Sequence, residues 1–226
     1  TYVIQELVKE FGEDIVRRGG LKVYTTLDKD AQEAAEKALT ERIKKFPKYT
    51  KVDQGALVAI DVKTGEIIAM VGGVDFEENQ FNSATQSQRA AGSQFKPFVY
   101  LTGFRMGVIS PESLIYDKPV AYSPGRGLPM WRPHNWDGKY MGPMSVRKAL
   151  TLSRNTPTVQ VGMKVGVSEV IKTARLAGIT SHINRVPSSI LGSDGFTPLE
   201  IASEFSTISR GCVRLEPTAI QRVEDI

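Results

Sequence analysis

The feature that most constrains this chain is the way its two hydrophobic periods are separated along the sequence. Two apolar, β-branched runs, ALVAID at 56–61 and EIIAMVGG at 66–73, are joined by VKTG and read as neighbouring strands of a hairpin. From Ser93 onward the spacing is helical instead, through SVRKALTLSRN, TPTVQVGMKVG, SEVIKTARLAG and PLEIASEFSTISRG. Strands followed by a run of helices predict an α+β fold: an antiparallel sheet flanked by helices, with an all-helical subdomain. The final segment, VRLEPTAIQRVEDI, reads as the start of a further strand, so the sheet is expected to be incomplete within these residues.

Ahead of the hairpin, Ile4, Leu7, Val8, Phe11 and Ile15 predict a single lead-in helix ending at Gly19 and Gly20. LKVYTT reads as a short strand, after which Asp28 caps a helix whose stripe is Ala31, Ala35, Ala38, Leu39 and Ile43. Residues 74–91 are polar, a helix is expected from about Ser93 to Met106, and 110–143 reads as one long loop rich in Pro, Gly and aromatic residues.

Charge and composition exclude several functions. Lys and Arg number 29 against 25 Asp and Glu, and no basic block forms a nucleic-acid footprint. One cysteine, Cys212, and two histidines, His134 and His182, leave no metal cluster, so neither metal nor cofactor is expected. Apolar runs fall far short of the roughly 20 residues that span a bilayer.

Two Ser-x-x-Lys pairs occur, Ser93 with Lys96 and Ser145 with Lys148, and each can be a serine cap followed by a solvated lysine. Context separates them. At i and i+3 a lysine shares the serine's helical face, but it acts as a base only where burial or nearby positive charge favours the neutral amine. Ser93 and Lys96 lie among Phe95, Pro97, Phe98, Val99, Tyr100 and Leu101, an apolar setting, whereas Arg147 and a basic face surround the other pair. Pro97 pins the helix start near Gly92 and Ser93, which leaves the serine N–H free as an oxyanion donor. TLSRNTPT adds Ser153 and Asn155, sixty residues after Ser93, as candidates for proton transfer and substrate binding. His134 is expected to pack on Trp131 or Trp136, His182 to face solvent, and Cys212 to be buried.

Ser-x-x-Lys followed by Ser-x-Asn is the motif order of penicillin-binding proteins and serine β-lactamases. With GGLKVYTTLDKDAQ, GALVAIDVKTGEIIAMVGG, RAAGSQFKPFVYLTGF, RPHNWDGKYMGPMSVRKALTLSRNTPTV and ILGSDGFTPLEIASEFSTISRGCV in order, the chain resembles the transpeptidase domain of class A, bifunctional penicillin-binding proteins. The resemblance implies Ser93 as nucleophile, Lys96 as its base, Ser153 as proton shuttle and Asn155 as substrate ligand. It implies residues 1–50 as a linker region and 51–226 as the N-terminal part of the transpeptidase domain. The implied activity is D,D-transpeptidation of D-Ala-D-Ala stem peptides, with β-lactams as inhibitors, outside the cytoplasm in a membrane-anchored parent that carries a glycosyltransferase domain. A serine β-lactamase and a non-catalytic sensor or scaffold are the alternatives. The family's third motif, Lys-Thr-Gly on a strand after Ser-x-Asn, is missing from 156–226, so the chain is expected to be truncated before it and to acylate poorly alone. Lys63-Thr64-Gly65 precedes the nucleophile and is expected to be only a turn.

Overall fold

The structure is a computed structural model and describes residues 1–77, 79–123, 125, 127 and 129–225. In chain order its elements are α1 (Tyr2–Phe11), α2 (Glu13–Arg18), β1 (Leu21–Thr25), α3 (Lys29–Lys44), β2 (Leu57–Ile60), β3 (Ile67–Val71), α4 (Ser83–Gln86), β4 (Arg89–Ala90), α5 (Lys96–Arg105), β5 (Leu114–Asp117), β6 (Gly142–Ser145), α6 (Val146–Thr151), α7 (Asn155–Val165), α8 (Val167–Ala177), β7 (Gly195–Phe196), α9 (Pro198–Ser209) and β8 (Ile220–Asp225). They form two compact units, one of residues 1–88 and 197–226, the other of residues 89–196.

In the first unit the expected hairpin is present, with β2 and β3 antiparallel and Leu57 opposite Val71. Its turn is made by Asp61, whose carboxylate accepts from the N–H groups of Lys63 at 2.7 Å and Thr64 at 3.0 Å. Gly65 closes the turn at φ 79°, a left-handed conformation that favours glycine. Lys63-Thr64-Gly65 is therefore turn chemistry, as its position implied. Asp28 caps α3 by accepting from the Ala31 N–H at 2.9 Å. The α3 stripe then packs on the hairpin, Ala35 against Ala69 and Val71, with Ala31, Leu39, Leu57 and Ala59 around them. Ala38 is exposed, so the stripe is narrower than its spacing suggested. The last segment does form a strand: β8 pairs antiparallel with β1, Val223 opposite Val23.

Two expectations fail here for backbone reasons. The lead-in helix is broken into α1 and α2 at Gly12, which takes φ 84°. Cys212 is exposed, not buried, because it sits at φ 68° in the turn that ends α9, its N–H on the Thr207 carbonyl. α9 itself begins with a capping box between Thr197 and Glu200 and a proline in its first turn. One turn further on, Glu204 is fully buried, and neither carboxylate oxygen has a hydrogen-bond partner among the described residues.

In the second unit α5 lies against α7 and α8. Phe95, Phe98, Val99, Tyr100, Val159, Val161, Ala174 and Ile190 are all within 1% of complete burial and form its core. Close packing is allowed by small residues: a Cβ on Gly162 would lie 2.7 Å from Ile190, and one on Gly103 2.7 Å from Ile109. The segment 110–143 is not one loop. β5 pairs antiparallel with β6, Asp117 opposite Gly142, and Tyr122 bridges Trp131. Four-residue strands, one containing Gly142 and Pro143, carry no alternation to read, and their pairing comes from the partner strand.

Candidate active site

Ser93 stands in a 3₁₀ turn, Gly92–Phe95, that runs directly into α5, with Pro97 in the helix's first turn. Phe95 anchors the turn, its ring 5.4 Å from Phe98 and stacked 5.6 Å from Phe196. A second segment holds its backbone: the Ala91 N–H donates to the Asp194 carbonyl at 3.3 Å and the Gly92 N–H to the Gly192 carbonyl at 2.9 Å, continuing the β4–β7 pair. Gly192 is the partner that has no room for a side chain. A Cβ on Gly192 would lie 2.3 Å from the Gly92 oxygen, whereas one on Gly92 would meet nothing within 4 Å.

Helical spacing then divides the motif. Ser93 is exposed, and Lys96, three residues on, is 1% exposed. The Lys96 ammonium donates to Ser153 Oγ at 2.9 Å, to Asn155 Oδ1 at 2.6 Å and to the Ser153 carbonyl at 2.5 Å. Its three protons are thereby taken, and among the described residues no hydrogen bond joins it to Ser93 Oγ. Burial, and secondarily the positive charge of Arg154, push the Lys96 amine down to about 8, near neutrality for a base. The structure thus brings Lys96, Ser153 and Asn155 into contact, one turn of chain from Ser93. The second pair behaves as the other reading required: Ser145 Oγ caps α6 by accepting from the Lys148 N–H at 3.2 Å, and Lys148 is exposed.

Leu152, Ser153 and Arg154 connect α6 to α7, which begins at Asn155, and Ser153 is held at φ 51°. In so tight a turn successive side chains diverge. Ser153 and Asn155 meet Lys96, while Arg154 enters a buried polar cluster that the sequence did not announce. Arg154 Nε donates to Asp117 at 2.8 Å and Nη1 to Asp137 at 2.9 Å, and Nη2 donates to the Lys139 carbonyl. Asn135 links the cluster to the site: its amide nitrogen donates to Asp117 at 2.7 Å, and its oxygen accepts from the Asn155 N–H at 2.8 Å. Thr156 Oγ1 donates to Asp117 at 2.6 Å. Burial alone would raise the Asp117 carboxyl, but the hydrogen bonds from Thr156, Asn135, Met141 and Arg154 outweigh it and hold it below its ordinary range. The signal that could have found this cluster is the two acids and one Asn, in YDKP and HNWDG, within an otherwise aromatic stretch.

His134 contributes its backbone, the carbonyl accepting from Asn155 Nδ2 at 2.8 Å, while its side chain is exposed and not packed away. His182 is exposed, as expected. The arrangement offers an accessible hydroxyl at the start of a helix, a buried amine of lowered pKa, and a second hydroxyl in contact with that amine. Such a set can move a proton from an attacking serine to a leaving group.

Comparison with known proteins identifies the family. Residues 55–225 match the family described as the penicillin binding protein transpeptidase domain. Penicillin-binding protein 1B of Escherichia coli is 37% identical over 227 residues, covering 98% of this chain and 27% of that protein. Penicillin-binding protein 2D of Bacillus subtilis is 32% identical over 225 residues, covering 98% and 32%. The chain therefore spans about a third or less of these relatives. PonA1 from Mycobacterium tuberculosis, solved also in complex with penicillin V, superposes with a TM-score of 0.85 at 26% identity over 99% of this chain and 59% of its own. Penicillin-binding protein 1A from Haemophilus influenzae shares the fold, with a TM-score of 0.85 at 23% identity over 99% of this chain and 47% of its own. With three quarters of its length matched and its motifs in family order, the chain belongs to the penicillin-binding protein transpeptidase domain family.

Proposed function

We propose that this chain carries the acyl-serine chemistry of a peptidoglycan D,D-transpeptidase, with Ser93 as nucleophile, Lys96 as general base, Ser153 as proton shuttle and Asn155 as substrate ligand. The observation that carries the reading is the buried Lys96 amine, held at once by Ser153 and Asn155 and lowered to about 8. Neutral Lys96 takes the hydroxyl proton as Ser93 Oγ attacks the carbonyl of a D-Ala-D-Ala stem peptide. The Ser93 N–H, at a helix start, is placed to stabilise the oxyanion. The proton passes through Ser153 Oγ to the leaving nitrogen, the C–N bond breaks, D-alanine departs, and an amine of a neighbouring stem peptide resolves the ester. In a β-lactam the leaving nitrogen stays tethered, so the ester persists. Residues 156–226 contain no Lys-Thr-Gly, and recognition of the substrate carboxylate is assigned to no residue here.

The same reading puts the chain in a class A parent with an upstream glycosyltransferase domain and further transpeptidase strands, acting outside the cytoplasmic membrane. Class A relatives over 98% of the chain support it. No described helix is long and apolar enough to cross a membrane.

The test is intact-mass spectrometry after incubation with benzylpenicillin, on the longest natural polypeptide carrying residues 1–226. A single long-lived adduct on the peptide containing Ser93, lost in Ser93→Ala, is expected. Hydrolysis of the adduct within seconds points to a β-lactamase, and cross-linking that survives Ser93→Ala points to a scaffold.

A further inference from the structure

The residue between the two site residues of the Ser153–Asn155 turn has no part in the chemistry proposed above, yet it is 4% exposed and doubly ion-paired. Resting on that reading, we propose that Arg154, with Asp117 as its buried counter-ion, is a positioning residue that holds the Ser153–Asn155 turn against Lys96.

Geometry comes first. Ser153 has a left-handed backbone, which a side chain-bearing residue keeps only where its surroundings over-determine it. On the C-terminal side of Ser153, Arg154 supplies three anchors for the turn: Asp117 on β5, Asp137, and the Lys139 carbonyl. Asp117 also accepts from Thr156, in the first turn of α7, and from Asn135, whose oxygen holds the Asn155 N–H. The cluster therefore fixes both residues that meet the lysine. Breaking one member of a buried pair leaves an uncompensated charge in the interior, so such a pair holds its geometry firmly.

Charge comes second. Arg154 is the charged group whose field reaches Lys96, and it acts with burial to favour the neutral amine. The other charged groups on elements packed against α5 are engaged elsewhere or solvated. On α8, Glu169 pairs with Arg105 at 2.8 Å near the far end of α5, Lys172 is exposed, and Arg175 donates to the Ile179 carbonyl. Arg147 and Lys148 on α6 and Lys164 on α7 are exposed. The Gly92–Phe95 and Pro187–Leu191 turns carry no charged residue. Tyr100, on α5 itself, is pushed up to about 12 by burial and stays neutral.

The experiment measures the second-order rate of Ser93 acylation by benzylpenicillin from pH 6 to 10, in the longest natural polypeptide carrying residues 1–226, for wild type, Arg154→Gln, Arg154→Lys, Asp117→Asn and Asp137→Asn. Arg154→Gln is expected to raise the midpoint by about one pH unit and slow acylation about tenfold at pH 7. Arg154→Lys restores the midpoint though not the full rate, since it lacks the planar fork. Asp117→Asn and Asp137→Asn leave the Arg154 charge less compensated and lower the midpoint. Asp137 is partly exposed, so its variant keeps the test alive if the buried ones fail to fold. Midpoints that stay within about 0.2 units of wild type in all folded variants would overturn the proposal, as would a rise in Asp137→Asn. A wild type that forms no Ser93 adduct refutes the underlying reading instead, and the two failures are thereby distinct.

Discussion

Glu204 is the group whose environment makes the largest demand on the fold. It is fully buried on α9, neither oxygen is hydrogen-bonded among the described residues, and burial, with Glu200 adding to it, pushes its carboxyl from 4.5 up to about 9. The folded state therefore holds Glu204 as the neutral acid, and the unfolded state releases the proton near 4.5. Because the folded pKa is raised, the associated stability is fully present below about 4.5, declines as pH rises, and is exhausted above about 9. At about 1.4 kcal/mol per pH unit the whole interval amounts to about 6 kcal/mol, of which about 3 kcal/mol has gone by pH 7. Glu204→Gln keeps the shape and removes the titration. Urea unfolding followed by far-ultraviolet circular dichroism, at constant ionic strength from pH 4.5 to 9, should show wild type losing about 1.4 kcal/mol per pH unit relative to Glu204→Gln. Parallel pH profiles for the two proteins would refute the reasoning, as would a ¹³C-detected Glu204 titration centred below 6.

Three further outcomes follow from the structure. With Lys96 as the proposed base, acylation by benzylpenicillin should accelerate with pH up to a midpoint near 8, and a rate flat from pH 6 to 9 would exclude that role. Gly192→Ala places a Cβ 2.3 Å from the Gly92 carbonyl in a left-handed position, so denaturant midpoints should show a loss of about 3 kcal/mol or more, and acylation should slow in whatever remains folded. Ser145→Ala removes the α6 cap, so the same denaturation should show about 1 kcal/mol lost, with the Ser93 adduct still forming at close to the wild-type rate.

The sequence disclosed what depends on local period and on residues close in the chain. Apolar flanks around Lys96 foretold its burial, and the hairpin and the Asp28 cap follow from alternation and turn chemistry; the proline marked the first turn of α5, which begins at Lys96 after a 3₁₀ turn and not at Ser93. The polar cluster was illegible for a physical reason. Asp117, Asn135, Asp137 and Arg154 come from stretches up to 37 positions apart, and no periodicity marks a residue whose partner is supplied by another strand. The same limit hid β5 and β6, whose pairing is a property of two strands together. Spacing reports faces and not φ angles, so it did not show the break at Gly12, and the apolar character of cysteine did not reveal that Cys212 sits in an exposed turn.

The backbone bond between Gly92 and Gly192, and the β4–β7 pair beside it, join positions a hundred residues apart. On a ribosome the serine emerges well before the segment that shapes its turn. Closing so long a loop is entropically slow, so sensitivity to penicillin should be among the last properties a newly made chain acquires. A pulse-labelled nascent chain stalled before residue 192 would carry Ser93 and yet be invisible to the drug.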